Sequence, residues 1–258
     1  MQSKTYDPIG SIDVNFSFAD DTPGYWDFLE GSDLLHGGGG KDPDTYSPTL
    51  RRYHRILWSR ELPNGDVMEL KEADTLKDYL VWKGHRFGSD SITNSMRHSK
   101  MTSIVEQFYS TLDDHRQYMF DYCREMYTIG AMIIFPKWHG GMNQSRGVKA
   151  CIKDRWDRSL ECIRRYYSGE DNPLQDVMQK DSWFYDLFVD FKGYVDFFFL
   201  QDFVSNDYSK VYSWIDDEFT DSPYPKDVDA YAKWMDSNFR YVRMRNERID
   251  TFVRTFRE

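Results

Sequence analysis

Apolar and polar residues alternate near the start of the chain. Ile12, Val14, Phe16 and Phe18 are separated by Asp13, Asn15 and Ser17, and a period of two predicts a half-buried β-strand. Tyr53 to Trp58 reads as a further strand, and so does Tyr79-Leu80-Val81-Trp82. Between these runs, Leu62-Pro63-Asn64-Gly65-Asp66 leads into Val67-Met68-Glu69-Leu70. Asn-Gly between apolar runs predicts a hairpin, because both residues tolerate a positive φ. Ile129 to Phe135, closed by Pro136, is short enough for a buried strand.

Helical spacing dominates the rest. Residues 103–112 and 114–127 predict two helices, with Asp113 or Asp114 to cap the second. Over 147–168, Val148, Ile152, Trp156, Leu160, Ile163 and Tyr167 recur at steps of three and four, and Gly169 is a natural stop. Residues 181–205 predict a second long helix, apolar on most sides, and 226–257 a third. Strands gather early and helices late, so an α+β fold is expected, with N-terminal strands and a hairpin packed against a helix-rich C-terminal half. Residues 36–45, with four glycines, read as a flexible loop, and no internal repeat is seen. Residues 1–258 are expected to form a single compact α+β domain.

Composition narrows the class. Hydrophobic residues are 40% and charged residues 29% of the chain, which excludes a disordered tail and a membrane bundle. Aromatic residues are 17%, so rings should supply much of the core. Residues 183–204 are apolar enough to test for membrane insertion, but Asp186, Asp190, Lys192, Asp196 and Asp202 interrupt them. Each such charge costs about 2.5–3.5 kcal/mol at a bilayer centre, so a core helix is expected and no membrane contact. The formal charge of −10 disfavours nucleic acid as a partner. Cys123, Cys151 and Cys162 form no CxxC pair, and the first seven residues have no apolar core. Reduced thiols in the cytoplasm are therefore expected. On one helix, Cys151 and Cys162 would also stand too far apart along the axis for a disulfide. No HExxH, GxSxG, Walker or Rossmann signature is present, and no metal or cofactor is expected.

Three stretches carry candidate chemistry. The first runs from Gly140-Gly141-Met142-Asn143-Gln144-Ser145-Arg146-Gly147 into Asp154-Arg155-Trp156-Asp157-Arg158-Ser159-Leu160-Glu161. A glycine-rich turn before a helix frees backbone amides, and the helix N-terminus adds positive potential. Asn143 and Arg146 would complete an anion site, since a planar guanidinium matches phosphate or carboxylate. On a solvated face the same charges read as Asp154/Arg158 and Glu161/Arg165 pairs, worth about 0.2–0.5 kcal/mol each. Arg155 borders the apolar stripe and needs a partner that Asp157 and Glu161 cannot both easily supply.

The second stretch, Ser47 to Trp58, sets three arginines and a histidine within five residues. On a strand, Arg52 and His54 share one face, and Arg51, Tyr53 and Arg55 the other. His54 is a candidate acid or base, although a lone histidine in a mixed strand is more often structural. The third, Phe87-Gly88-Ser89-Asp90-Ser91-Ile92, reads as a turn. Together these nominate His54, Asp157 and Glu161 as catalytic groups. They nominate Arg52, Arg55, Asn143, Arg146, Asp154 and Arg155 as ligand-binding groups. One shared pocket for a phosphorylated small molecule or nucleotide is expected. The alternative is a non-catalytic interaction protein or homo-oligomer held by aromatic surfaces. Arg240, Arg243, Arg245, Arg248, Arg254 and Arg257 stud the last helix, either as a surface face or as a docking face for an acidic partner or RNA.

Two resemblances follow from these motifs. An Arg/His segment, then Ser89-x-Ser91, then a later glutamate loosely resembles ADP-ribosyltransferases. There the first group anchors a dinucleotide and the glutamate, on a strand, orients a ribose hydroxyl; Glu161 is predicted on a helix. Over residues 46–205 the chain also resembles an uncharacterised family of bacterial cytoplasmic proteins of unknown function. The motifs are Ser47-Pro48-Thr49-Leu50-Arg51-Arg52-Tyr53-His54, Leu62-Pro63-Asn64-Gly65, Ser89-Asp90-Ser91-Ile92, Ile133-Ile134-Phe135-Pro136, Asn143-Gln144-Ser145-Arg146-Gly147 and Leu160-Glu161-Cys162-Ile163-Arg164-Arg165. That resemblance implies a bacterial or phage-associated source and brings no activity with it.

Overall fold

The computed structural model describes residues 9–27, 41–73, 79–94 and 99–256. The glycine run 37–40, the first seven residues and Arg257 lie outside them. Four antiparallel strands lie in sequence order: β1 (Lys71–Glu72), β2 (Leu80–Trp82), β3 (His85–Ser91) and β4 (Met132–Pro136). The β3–β4 ladder is the longest, running from Phe87 opposite Pro136 to Ser91 opposite Met132. All of β4 is buried. Eight helices matter here: α1 (Pro48–Trp58), α2 (Thr102–Ser110), α3 (His115–Met126), α4 (Met142–Val148), α5 (Trp156–Ser168), α6 (Gln175–Lys180), α7 (Phe191–Phe197) and α8 (Val228–Arg254). The α+β class stands, with a small sheet in the N-terminal half and a helix-rich C-terminal half.

The expected caps are in place. Asp114 accepts from the amides of Arg116 and Gln117 and starts α3. Gly169 ends α5 in the left-handed region, at φ 70°. The α8 helix packs on α2, α3 and the turn Ile129–Ala131. Gly130 permits this approach, since a Cβ there would meet the Val242 carbonyl at 2.6 Å.

Several expected elements differ. Residues 12–18 form turns, not a strand, although Ile12, Val14 and Phe18 are buried and Asp13 and Asn15 exposed. Asp13 explains it: its carboxylate takes the Asn15 amide and its carbonyl the Phe16 amide, a local turn that competes with extension. Residues 53–58 are helix α1, not strand. Ser47 caps it by accepting the Leu50 amide at 3.0 Å, and Pro48 occupies the first turn. Leu50, Tyr53, His54, Leu57 and Trp58 are buried at helical spacing. Residues 89–91 are strand β3 instead of a turn. Within the expected loop 36–45, Pro43 begins a single helical turn, Pro43–Tyr46.

The expected helix 147–168 is two helices with a turn between. Lys153 and Asp154 both have positive φ there, and Val148 is exposed. Asp154 therefore cannot pair with Arg158 across a helical turn. Cys151 also precedes α5, so the axial-separation argument against its pairing with Cys162 does not apply; none of the three cysteines is in a disulfide. The expected helix 181–205 is broken at Val189, whose φ is 69° and ψ −52°, and restarts at Asp190, which caps α7. Among the described residues no helix is long and apolar enough to cross a membrane.

Candidate functional site

The nominated residues fall into two groups, one behind the sheet and one along α5. In the first, Arg146 is 1% exposed. Its Nη1 donates to Asp90 Oδ2 at 2.6 Å and to the Ser91 carbonyl at 3.0 Å, and its Nε donates to Ser159 Oγ at 2.9 Å. Its guanidinium lies over Trp156, 5.3 Å from the ring centre. Asn143 Nδ2 donates to the Ser89 carbonyl at 2.8 Å. Burial pushes the Asp90 carboxyl up, against the pull of Arg146, and nearby Asp154 adds to the rise.

His54 belongs to the same interior. Trp58 Nε1 donates to its Nδ1 at 2.8 Å, so the proton of the neutral ring sits on Nε2 and is donated to Ser89 Oγ at 3.0 Å. Burial, with Arg245 nearby, lowers its pKa to about 3. In this conformation both ring nitrogens are engaged inside the protein. Arg52 lies over Tyr53, 5.2 Å from the ring centre, and Arg55 Nε is 3.8 Å from Glu72, so neither joins His54.

The second group lines a cleft of about 1020 Å³ between α5, residues 209–219 and α8. Arg155 is fully buried. It donates to Asp157 through Nε and Nη2, and to Asp217 through Nη1 at 2.5 Å and Nη2 at 2.9 Å. Asp217 also takes Arg158 Nη2 at 2.6 Å, while Nη1 donates to the carbonyls of Cys151 and Asp221 and Nη2 to those of Glu218 and Ser222. Burial works against an anion at Asp217, but hydrogen bonds from Arg155 and Ser213 overcome it and hold the carboxyl down at about 2. Glu161 faces the cleft between Arg164 and Arg165, with its Oε1 2.8 Å from Arg165 Nε.

The two groups touch through one hydroxyl. Ser159 accepts from Arg146 and donates to the Arg155 carbonyl at 2.9 Å. Only Arg155, Asp157 and Glu161 of the nominated residues line the cleft; Arg146, Asn143, Asp154, Arg52, Arg55 and His54 do not. Sequence reasoning missed Asp217, 62 residues from Arg155. The available signal was the need of a buried arginine for a second carboxylate, with Asp216-Asp217-Glu218 as an acidic run able to supply it. The last helix also differs from a single basic face. Arg245 is buried and donates to carbonyls of Phe198, Gly130 and Met132, while Arg243 pairs with Glu125 and Arg248 with Asp202.

The cleft is lined by seven Lys or Arg and five Asp or Glu side chains, in a chain whose formal charge is −10. Lys233 pairs with Asp216, and Arg164 with Glu161 and Glu170. Lys210 and Arg240 are exposed and form no ion pair among the described residues. Among those residues, no three His, Cys, Asp or Glu side chains are grouped to hold a metal ion.

The chain matches a protein-family model over residues 12–249 and belongs to that family, a family of unknown function (DUF6994). No curated protein and no solved structure matches it.

Proposed function

We propose that this member of a family of unknown function binds a phosphorylated small molecule, of nucleotide size, in the cleft along α5. The observation that carries the reading is the excess of cationic side chains in that cleft, on a protein of opposite net charge. A cleft lined by one excess sign concentrates the opposite ion. Its volume suits a small organic ligand. Arg155 and Arg158, locked by Asp157 and Asp217, form a rigid floor, because the terminal nitrogens of both guanidinium groups already donate inside the protein. Lys210 and Arg240 are the cations left to take anionic oxygens. Tyr212, 41% exposed on the same wall, offers a ring face to a planar group.

The test is thermal unfolding of the full chain with ADP, with adenosine and with inorganic phosphate. ADP should raise the melting temperature in a concentration-dependent way, phosphate less, and adenosine least, because a ligand bound to the folded state stabilises it by mass action. Equal shifts with ADP and adenosine, or no shift with any of them, would contradict the reading.

A further inference from the structure

We infer that a recess at the end of α8 binds a small organic cation, a primary ammonium carried on an apolar body. The recess holds about 450 Å³ and lies between α8 and the turn that follows α7, and its volume falls within the range of small-molecule sites. It shares no lining residue with the cleft along α5. Phe199, Met244 and Phe252 give it an apolar wall, beside Glu247 and the Asp202–Arg248 pair.

The polar groups of the recess select for a donor. Thr251 Oγ1 donates to the Glu247 carbonyl at 2.8 Å and Thr255 Oγ1 to the Phe252 carbonyl at 2.7 Å, so each hydroxyl has used its only proton. Arg248 gives Nε and Nη2 to the two oxygens of Asp202, and those charges offset each other. Glu247 is the charge that remains. It is exposed, and its carboxylate forms no ion pair or hydrogen bond among the described residues. An ionised carboxylate only accepts hydrogen bonds, and a charged donor makes the stronger ones. The formal charge of −10 on the chain also attracts a cation, whereas an anion would meet Glu247 as a like charge.

The apolar wall is held in place from outside the recess. Arg60, which does not line it, lies over the rings of Phe199 and Phe252, 4.6 and 4.8 Å from their centres. Rings already carrying one cation are poor seats for a second, so the ammonium belongs at Glu247 and the apolar body against the wall. The backbone adds an independent sign. At the end of α7 the Phe199 amide donates to the Asp196 carbonyl and the Leu200 amide to the Val195 carbonyl, with residue 199 at φ 56°. Glycine ordinarily fills that position. A phenylalanine there bears strain, which persists where the surrounding structure fixes the side chain, and this ring forms part of the recess wall.

NMR of the full chain labelled at its methionine methyl groups tests the inference, with Met244→Leu to assign the Met244 signal. Phenethylammonium is the probe. Phenethyl alcohol keeps the body without the charge, 3-phenylpropanoate reverses the charge, and ethylammonium lacks the body. Phenethylammonium should shift the Met244 signal saturably and bind at least fivefold more tightly than each of the three controls. Glu247→Gln should weaken phenethylammonium at least fivefold, to the level of the alcohol. Its urea midpoint should stay unchanged, because the Glu247 carboxylate holds nothing in the fold. A lowered midpoint would mean that the fold uses that carboxylate and would overturn the inference. So would a Met244 signal that does not move, a control that binds as tightly as the probe, or binding unchanged in Glu247→Gln.

Discussion

Arg155 has no exposed surface, yet it carries a charge between two carboxylates. Removing one partner of a buried pair leaves an uncompensated charge, at about 3–5 kcal/mol. Arg155→Met should therefore lower stability by about that amount in urea unfolding. Glu161→Gln, whose partners Arg164 and Arg165 are partly solvated, should cost under about 1 kcal/mol. Similar losses for the two would mean the Asp157–Arg155–Asp217 clamp does not organise the cleft. His54 makes a pH prediction. Its pKa falls from 6.5 to about 3 on burial, so the unfolded chain binds the extra proton between those values. Stability is full above pH 6.5 and declines as pH falls toward 3, with a slope of about 1.4 kcal/mol per unit from this one group. His54→Gln should flatten that limb, measured as urea midpoints against pH. The need of Arg155 for a partner was legible in the sequence, from its place beside Trp156. Asp217 was not, because nothing local in an acidic run says which carboxylate folds back 62 residues to meet it.

Helices α2, α3 and α8 and strands β2 and β4 were legible because each carries a clear run or period of apolar residues, and Asp114 marks the start of α3. Segment 53–58 misled because Tyr53, Ile56, Leu57 and Trp58 suit either period when read alone. Adding Ser47, Pro48 and Leu50 supplies the cap and the preceding turn, and with them the helical spacing. The break inside 181–205 was hidden by its apolar character, since aromatic residues bury equally well in one helix or several short turns. Its cause is local. The Asp190 amide donates to the Phe188 carbonyl at 2.8 Å, closing a three-residue turn around Val189 at positive φ. Turns of that hand are strained, the more so for a β-branched residue. Val189 is 63% exposed, so Val189→Gly should raise stability by about 1 kcal/mol, by releasing strain at little packing loss. A fall in the urea midpoint would place the break elsewhere. Phe198 follows α7 with no exposed surface, its ring 4.9–5.2 Å from those of Tyr194, Phe188, Phe197 and Trp58. Phe198→Ala should cost about 3–5 kcal/mol by leaving a cavity among these rings.

At the scale of the molecule, buried apolar residues from Ile12 to Val253 form one cluster that joins the sheet to the late helices. We propose on that basis that the chain unfolds as one unit, so that calorimetric and van't Hoff enthalpies agree. The expected shared pocket was legible in its chemistry more than in its geometry. Polar residues in apolar segments did mark buried groups, but the turn 149–155 separates Arg146, which faces Asp90, from Arg155, which faces Asp217. What remains open to a ligand along α5 is a cleft with more cations than carboxylates. The most direct test of that claim is calorimetric titration of pyrophosphate into the full chain and into the Lys210→Glu/Arg240→Glu double variant, at low and at raised ionic strength. The account predicts saturable binding to the natural chain, weakened by salt, and at least tenfold weaker binding to the variant with its urea midpoint unchanged. Absent binding to the natural chain, or equal binding to both proteins, would contradict it.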